Sequence, residues 1–261
     1  MADIPVALTI AGSDPSGGAG IQADLKTFHQ FGVYGEAVLT LVTVQNTTGV
    51  QRVEVLAPDL VAQQIQAVIS DIPPAAAKTG ALGNRAVVEA VAALASTFSF
   101  PLVVDPVIVS KHGAPLMAAD GIEALKRLLL PHTFLLTPNL HEAAVLTGRE
   151  ATDVAGMRAA ASALHDLGAK SVLIKGGHLA GKANDILLHR GEWSEFEAPR
   201  IETRHTHGTG CTYSAAITAG LARDLNLAVA IRKAKRYIHA AIKTNPGLGA
   251  GAGPVNHAVS P

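Results

Sequence analysis

Short, continuous apolar runs without polar alternation constrain this chain more than any other feature. Val6-Ala7-Leu8-Thr9-Ile10-Ala11 is the first. A run of this kind reads as a strand buried on both faces, as in a parallel sheet covered by helices. It enters the loop Gly12-Ser13-Asp14-Pro15-Ser16-Gly17-Gly18-Ala19-Gly20, and a helical pattern of Ile21, Leu25 and Phe28 follows. The alternation then repeats. Strands are expected over 37–44, 50–56, 75–79, 102–106, 134–137 and 171–175. Helices are expected over 58–70, 86–96, 120–129, 139–147 and 153–167, the last with Asp153 as its N-cap. Residues 185–189 and 193–197 read as a hairpin around Arg190-Gly191-Glu192. Two apolar helices close the chain, over 213–225 and 228–243, before a glycine-rich tail expected to be irregular or mobile.

This order implies an α/β fold, a mostly parallel central sheet with helices on both faces and a small antiparallel part near the C-terminal third. No repeat or linker-like break divides residues 1–261, which are expected to form a single domain. Apolar residues make up 48% and charged residues 16%, so a large core is available and a disordered chain is excluded. The formal net charge is zero, which argues against a nucleic-acid footprint. One cysteine leaves neither an intramolecular disulfide nor a CxxC metal site. No apolar stretch approaches the ~20 residues of a membrane span, and the opening lacks the cationic start of a signal peptide. A cytoplasmic location is the expectation.

The chemistry concentrates in Thr206-His207-Gly208-Thr209-Gly210-Cys211-Thr212, which ends an extended stretch and opens a helix. A helix start leaves N–H groups unpaired and carries partial positive charge, so it holds anions, above all phosphate. Cys211 stands there, where a thiol pKa is expected to fall. The alternative is a glycine turn capped by Thr209 or Thr212, with Cys211 as a small buried residue. A dinucleotide site is disfavoured, because Gly17, Gly18 and Gly20 do not fit G-x-G-x-x-G. Ligands of such folds bind beyond the carboxyl ends of the strands. Those ends carry Gly12 and Asp14, Gln45 and Asn46, Asp105, Asn139 with Glu142, and Lys175. An anion loop, an ammonium group and carboxylates able to hold Mg²⁺ are the parts phosphoryl transfer requires. Each also has a plainer reading: Asp14 as a cap of its own loop, Glu142 as a partner of a helix dipole, and His112, His178 and His207 as local hydrogen-bond formers.

Gly208-Thr209-Gly210-Cys211 resembles the G-T-G-D/C signature of the ribokinase-like superfamily, and Asn139-Leu140-His141-Glu142 resembles its N-x-x-E motif. The opening loop through Asp24, with Val44-Gln45-Asn46-Thr47, Asp105-Pro106-Val107, Lys175-Gly176-Gly177-His178 and residues 207–212, is similar to the hydroxymethylpyrimidine/phosphomethylpyrimidine kinases of thiamine biosynthesis, nearly end to end. The resemblance implies an ATP- and Mg²⁺-dependent kinase, acting as a homodimer on a small aminopyrimidine alcohol and its monophosphate. It implies Gly208, Thr209, Gly210 and Cys211 as the anion hole, with Cys211 where most relatives carry an Asp base. Lys175, Asn139 and Thr206 would serve the nucleotide, and Asp105 and Glu142 the metal. Gly12, Asp24 and Gln45 would meet the pyrimidine, walled by Ala19, Ala81 and Val107; Ala81 stands where some members carry Met. Lys111 and His112 are candidates for the phosphate of a monophosphate substrate. A pyridoxine/pyridoxal kinase and a catalytically weak ligand-sensing domain are the alternatives.

Overall fold

The computed structural model describes residues 4–177 and 183–261. Nine strands form one sheet in the order β3-β2-β1-β4-β5-β6-β7-β8-β9. β1 (Val6–Ser13) lies parallel to both β2 (Tyr34–Asn46) and β4 (Ala76–Thr79). β5 (Leu102–Val104), β6 (Leu135–Leu136) and β7 (Ser171–Ile174) continue the parallel series. β8 (Ala183–His189) and β9 (Glu192–Ala198) form the expected antiparallel hairpin. The antiparallel part is not confined to that end. β3 (Gly49–Val55) runs antiparallel to β2 at the opposite edge, since the turn between them is too short for a crossover.

Alternate strand residues feed two cores. Leu8, Ile10, Val104, Val172 and Ile174 face one, while Ala7, Val103 and Leu173 face the other. The first core is closed by helices α2 (Pro58–Asp71), α3 (Arg85–Ala95), α4 (Ala119–Ala124), α5 (Leu140–Thr147) and α6 (Val154–Asp166). The second is closed by α1 (Gly20–Gln30), α7 (Thr209–Ala222) and α8 (Leu227–Lys243). This burial on both faces is what the unalternated apolar runs require. The expected N-cap on α6 is present, with Asp153 accepting from the Gly156 N–H at 2.7 Å. α4 is shorter than expected and passes through a π turn at Leu125–Leu129.

The chain places β2 on one side of β1 and β4 on the other. That reversal is the topological switch point, where α/β sheets bind ligands. The glycine-rich tail is irregular but held: the Gly251 N–H donates to Thr47 Oγ1 at 3.3 Å, and the Gly253 carbonyl accepts from the His207 N–H at 3.1 Å. The irregular tail is as expected, and its small residues let it pack flush against the turn after β2. Among the described residues, no helix is long and apolar enough to cross a membrane.

Candidate active site

The carboxyl ends of β1, β4, β5, β6 and β7 open on a cleft of about 890 Å³, into which the start of α7 also points. Gly12, Ala19, Gln45, Ala81, Asp105, Val107, Asn139, Glu142, Lys175, Thr206 and all of 208–211 line it. Of the residues singled out in the sequence, His178 lies outside the described ones.

Asp24 does not reach the cleft and is corrected. Its carboxylate is wholly buried, accepting from Lys78 Nζ at 2.7 Å and Thr9 Oγ1 at 2.7 Å. Asp24 is one turn into α1, on the face toward the sheet, so it points into the molecule and not over the loop.

α7 begins at Gly208, whose φ of 75° is left-handed. A Cβ there would collide with the Gly18 carbonyl oxygen, so the two glycine loops touch backbone to backbone. No side chain caps α7. Thr209 Oγ1 instead donates to the Thr206 carbonyl at 2.7 Å, and Thr212 Oγ1 meets His257 Nε2 at 3.0 Å, so neither threonine caps the helix, while the Cys211 thiol is buried as that alternative had it.

Cys211 behaves opposite to expectation. Burial pushes its thiol up to about 12; Asp24 and Asp105 add to the rise, against Lys78 and a hydrogen bond from the Gly20 backbone. Desolvation of a thiolate outweighs the helix start. A resting thiolate is therefore absent at neutral pH.

Lys175 follows β7 and donates to Asp105 Oδ1, beyond β5, at 2.8 Å. Burial works against its charge, but Asp105 and Glu142 outweigh it and hold the ammonium above its ordinary pKa. A Cβ on Gly210 would lie 3.4 Å from Lys175 Nζ and 3.5 Å from Asp105 Oδ2, so the anion loop abuts this pair. Asn139 and Glu142 form a capping box on α5: Asn139 Oδ1 accepts from the Glu142 N–H at 2.9 Å, and Glu142 Oε2 from the Asn139 N–H at 2.7 Å. The helix-end reading of Glu142 is thus correct, yet the residue also lines the cleft. Burial, with Asp105 adding and Lys175 opposing, pushes its carboxyl up to about 7. Two carboxylates that repel one another beside a phosphate-type loop fit a divalent cation held with a nucleotide.

Asp14 caps its own loop and does more. Its Oδ1 accepts from the Ser16 N–H and hydroxyl, and its Oδ2 from the Gly18 and Ala19 N–H groups. The same Oδ2 meets His207 Nε2 at 2.8 Å, joining loops 193 residues apart. Burial favours the neutral acid, but these hydrogen bonds and His207 outweigh it and bring Asp14 down to about 2. His112 Nε2 meets the Thr47 carbonyl at 2.9 Å, so both described histidines form hydrogen bonds, though to distant segments and not to local ones. Sequence reading missed Lys78 beneath the floor. It also missed Lys235, which donates to Asp185 Oδ2 at 2.6 Å beside Tyr213. Neither stands in a motif that a linear scan would flag. On β2, a bulge between Val44 and Gln45 swings Gln45 toward the cleft.

A switch-point cleft floored by a glycine helix start, a lysine and two carboxylates defines a ribokinase-like small-molecule phosphotransferase. The family described as phosphomethylpyrimidine kinase matches residues 14–256, and the chain belongs to that family. It is 48% identical over 253 residues to the hydroxymethylpyrimidine/phosphomethylpyrimidine kinase of Streptomyces coelicolor, covering 97% of this chain and 94% of the relative. A Bacillus subtilis pyridoxal kinase solved as its ADP complex superposes with a TM-score of 0.89 at 40% identity, covering 98% of each chain. The phosphomethylpyrimidine kinase of Clostridium difficile 630 superposes with a TM-score of 0.81 at 41% identity, covering 92% of this chain and all of that one (100%).

Proposed function

We propose that the chain transfers the γ-phosphoryl group of ATP to the hydroxymethyl oxygen of 4-amino-5-hydroxymethyl-2-methylpyrimidine, and then to the resulting monophosphate, as a step of thiamine biosynthesis. The observation that carries this reading is the meeting of three sets in one cleft: loop 208–211, the Lys175–Asp105–Glu142 group, and Gly12 with Gln45. Family membership supplies the substrate class.

The N–H groups at the start of α7 receive the transferring phosphoryl group, and Lys175 stabilises charge on the phosphates. Asn139 and Thr206 line the nucleotide side. Asp105 and Glu142 would hold Mg²⁺, and the ion would supply charge neutralisation on the phosphates. Gln45 offers an amide donor and acceptor to a ring nitrogen and its neighbouring amino group. Gly12, Ala19, Ala81 and Val107 wall the ring. The hydroxyl oxygen attacks Pγ in line as ADP departs, through a loose transition state in which the hydroxyl proton leaves late. A protonated Cys211 does not take that proton, and such a path does not require it to: the proton passes late to an oxygen of the transferred phosphoryl group. The whole chain acts as one kinase unit in the cytoplasm, as a homodimer. Val42 and Val44, exposed on one face of β2, are surface a second copy would cover.

A coupled ADP-release assay with MgATP tests the reading, using the hydroxymethylpyrimidine, its monophosphate and pyridoxal as acceptors. Turnover with both pyrimidines and little with pyridoxal is expected. The likeness to a pyridoxal kinase at 40% identity makes preference for pyridoxal the specific result that would overturn the acceptor assignment.

A further inference from the structure

One fully buried ion pair lies directly beneath the catalytic loop. Lys78 on β4 and Asp24 on α1 are both without solvent exposure, 2.7 Å apart. Asp24 Oδ1 has no hydrogen-bond partner among the described residues. A buried ion pair seldom adds stability over apolar side chains of similar volume, so its position calls for another account.

That position is specific. Gly20 and Asp24 are four residues apart on α1 and therefore share one face. The Gly20 N–H meets the Cys211 thiol, and one turn later Asp24 meets Lys78. The start of α7 packs on the start of α1, where a Cβ on Gly208 would lie 3.2 Å from Ala19 Cα, and the charge of the Lys78 ammonium reaches Cys211 there. Lys78 Nζ also lies 3.6 Å from where a Cβ on Gly80 would be, and Gly80 lines the cleft.

We propose that Lys78, fixed by Asp24, is a positioning residue of phosphoryl transfer: a buried cation under the start of α7 that favours negative charge on Cys211 and on the phosphoryl group the loop receives. The charged groups bearing on Cys211 are Lys78, Asp24 and Asp105, with the Lys175 ammonium on the cleft side as a second cation; Lys78 is the one beneath the loop. The proposal rests on reading loop 208–211 as the transfer loop.

The only cysteine of the chain is Cys211, so alkylation by iodoacetamide followed against pH reports the field there without competing thiols. The readout is independent of which acceptor the enzyme uses, so failure of the substrate assignment would leave it standing. Lys78→Met is expected to move the thiol's titration up, and Asp24→Asn to move it down. Each shift of about half a pH unit changes the alkylation rate below the midpoint about threefold. Asp24→Asn keeps a hydrogen-bond acceptor for Lys78 and tests the idea if Lys78→Met fails to fold. In turnover, Lys78→Met is expected to lower kcat at least about tenfold with KM for ATP nearly unchanged, the mark of an interaction made in the transition state. Alkylation profiles in folded variants that coincide with wild type, or shift in the same direction, would overturn the proposal.

Discussion

Gly208→Ala is the sharpest probe of the loop geometry. Gly208 holds a φ of 75°, and a Cβ on it would overlap the Gly18 carbonyl oxygen. The left-handed conformation alone costs an alanine about 1–2 kcal/mol. Relieving the overlap means displacing backbone, because neither side is the flexible end of a side chain. Overpacking of that kind costs a further ~1–3 kcal/mol. The sum, about 2–5 kcal/mol, corresponds to a melting temperature lower by roughly 5–15 °C in a chain of this size. Function falls further than stability, since a shift of about 1 Å at a reacting centre costs on the order of 100-fold. The assay is ADP release at saturating substrates, well below the variant's melting temperature. Gly49→Ala is the control, as a Cβ there meets nothing within 4 Å; it should stay within about twofold of wild type. A folded Gly208→Ala enzyme with kcat within threefold of wild type would show that the left-handed turn does not set the anion hole.

Three further outcomes follow from the electrostatics. Burial lifts Glu142 from 4.5 to about 7, so its contribution to stability is complete below pH 4.5 and lost as pH rises through about 7. Melting temperatures across that window should fall more steeply for wild type than for Glu142→Gln, and equal slopes would contradict the buried-carboxyl account. Asp14 is shifted the other way, to about 2, so its contribution is present above pH 3.8 and lost only as pH falls through about 2. Asp14→Asn replaces the charged acceptor that Ser16, Gly18, Ala19 and His207 share and should cost about 1.5–3 kcal/mol at pH 7 by denaturant unfolding; a loss under about 1 kcal/mol would refute the clamp. With its thiol near 12, Cys211 is not a thiolate at neutral pH, so Cys211→Ser should keep kcat within about tenfold of wild type, where loss of an obligate general base removes ~100-fold or more.

The architecture is legible where one local rule decides. Val6 to Ala11 carries apolar residues at successive positions, and only a strand covered on both faces uses them all: Ala7 enters one core, Leu8 and Ile10 the other. Asp153 announces α6 because an N-cap is a contact three residues long. The strand ends that gather in the cleft were visible for the same reason, as each is the first polar residue after an apolar run. What the linear order hides is pairing across the fold. Asp24 is expected to meet the pyrimidine until Lys78, 54 residues on, arrives beside it. Asp14 reads as a cap until His207 joins it. Cys211 shows a second limit. Its place at a helix start is a sequence property and argues for a low pKa, whereas the desolvation that dominates belongs to the packed site.

The pairing pattern bears on what the cleft receives. Lys78 meets Asp24, Lys175 meets Asp105, His207 meets Asp14 and Lys235 meets Asp185, each within 2.8 Å. Asp24, Asp105 and Asp185 offset the charge of the lysines they hold, so the floor of the cleft carries little net positive charge. Glu142 is left over, sharing Lys175 with Asp105 and pushed toward neutrality by burial, with Asp105 adding to the rise. Such a floor matches a polyanion that brings its own cation better than one that arrives bare, because the ion satisfies Glu142 and Asp105 while screening the phosphates from them. If Mg²⁺ and ATP enter as one ligand, as proposed, the Glu142 carboxyl is expected to lose its proton as they do. Isothermal titration of MgATP in two buffers of different ionisation enthalpy should therefore register proton release near pH 6.5 in wild type and none in Glu142→Gln. Equal proton release in both would place the titrating group elsewhere.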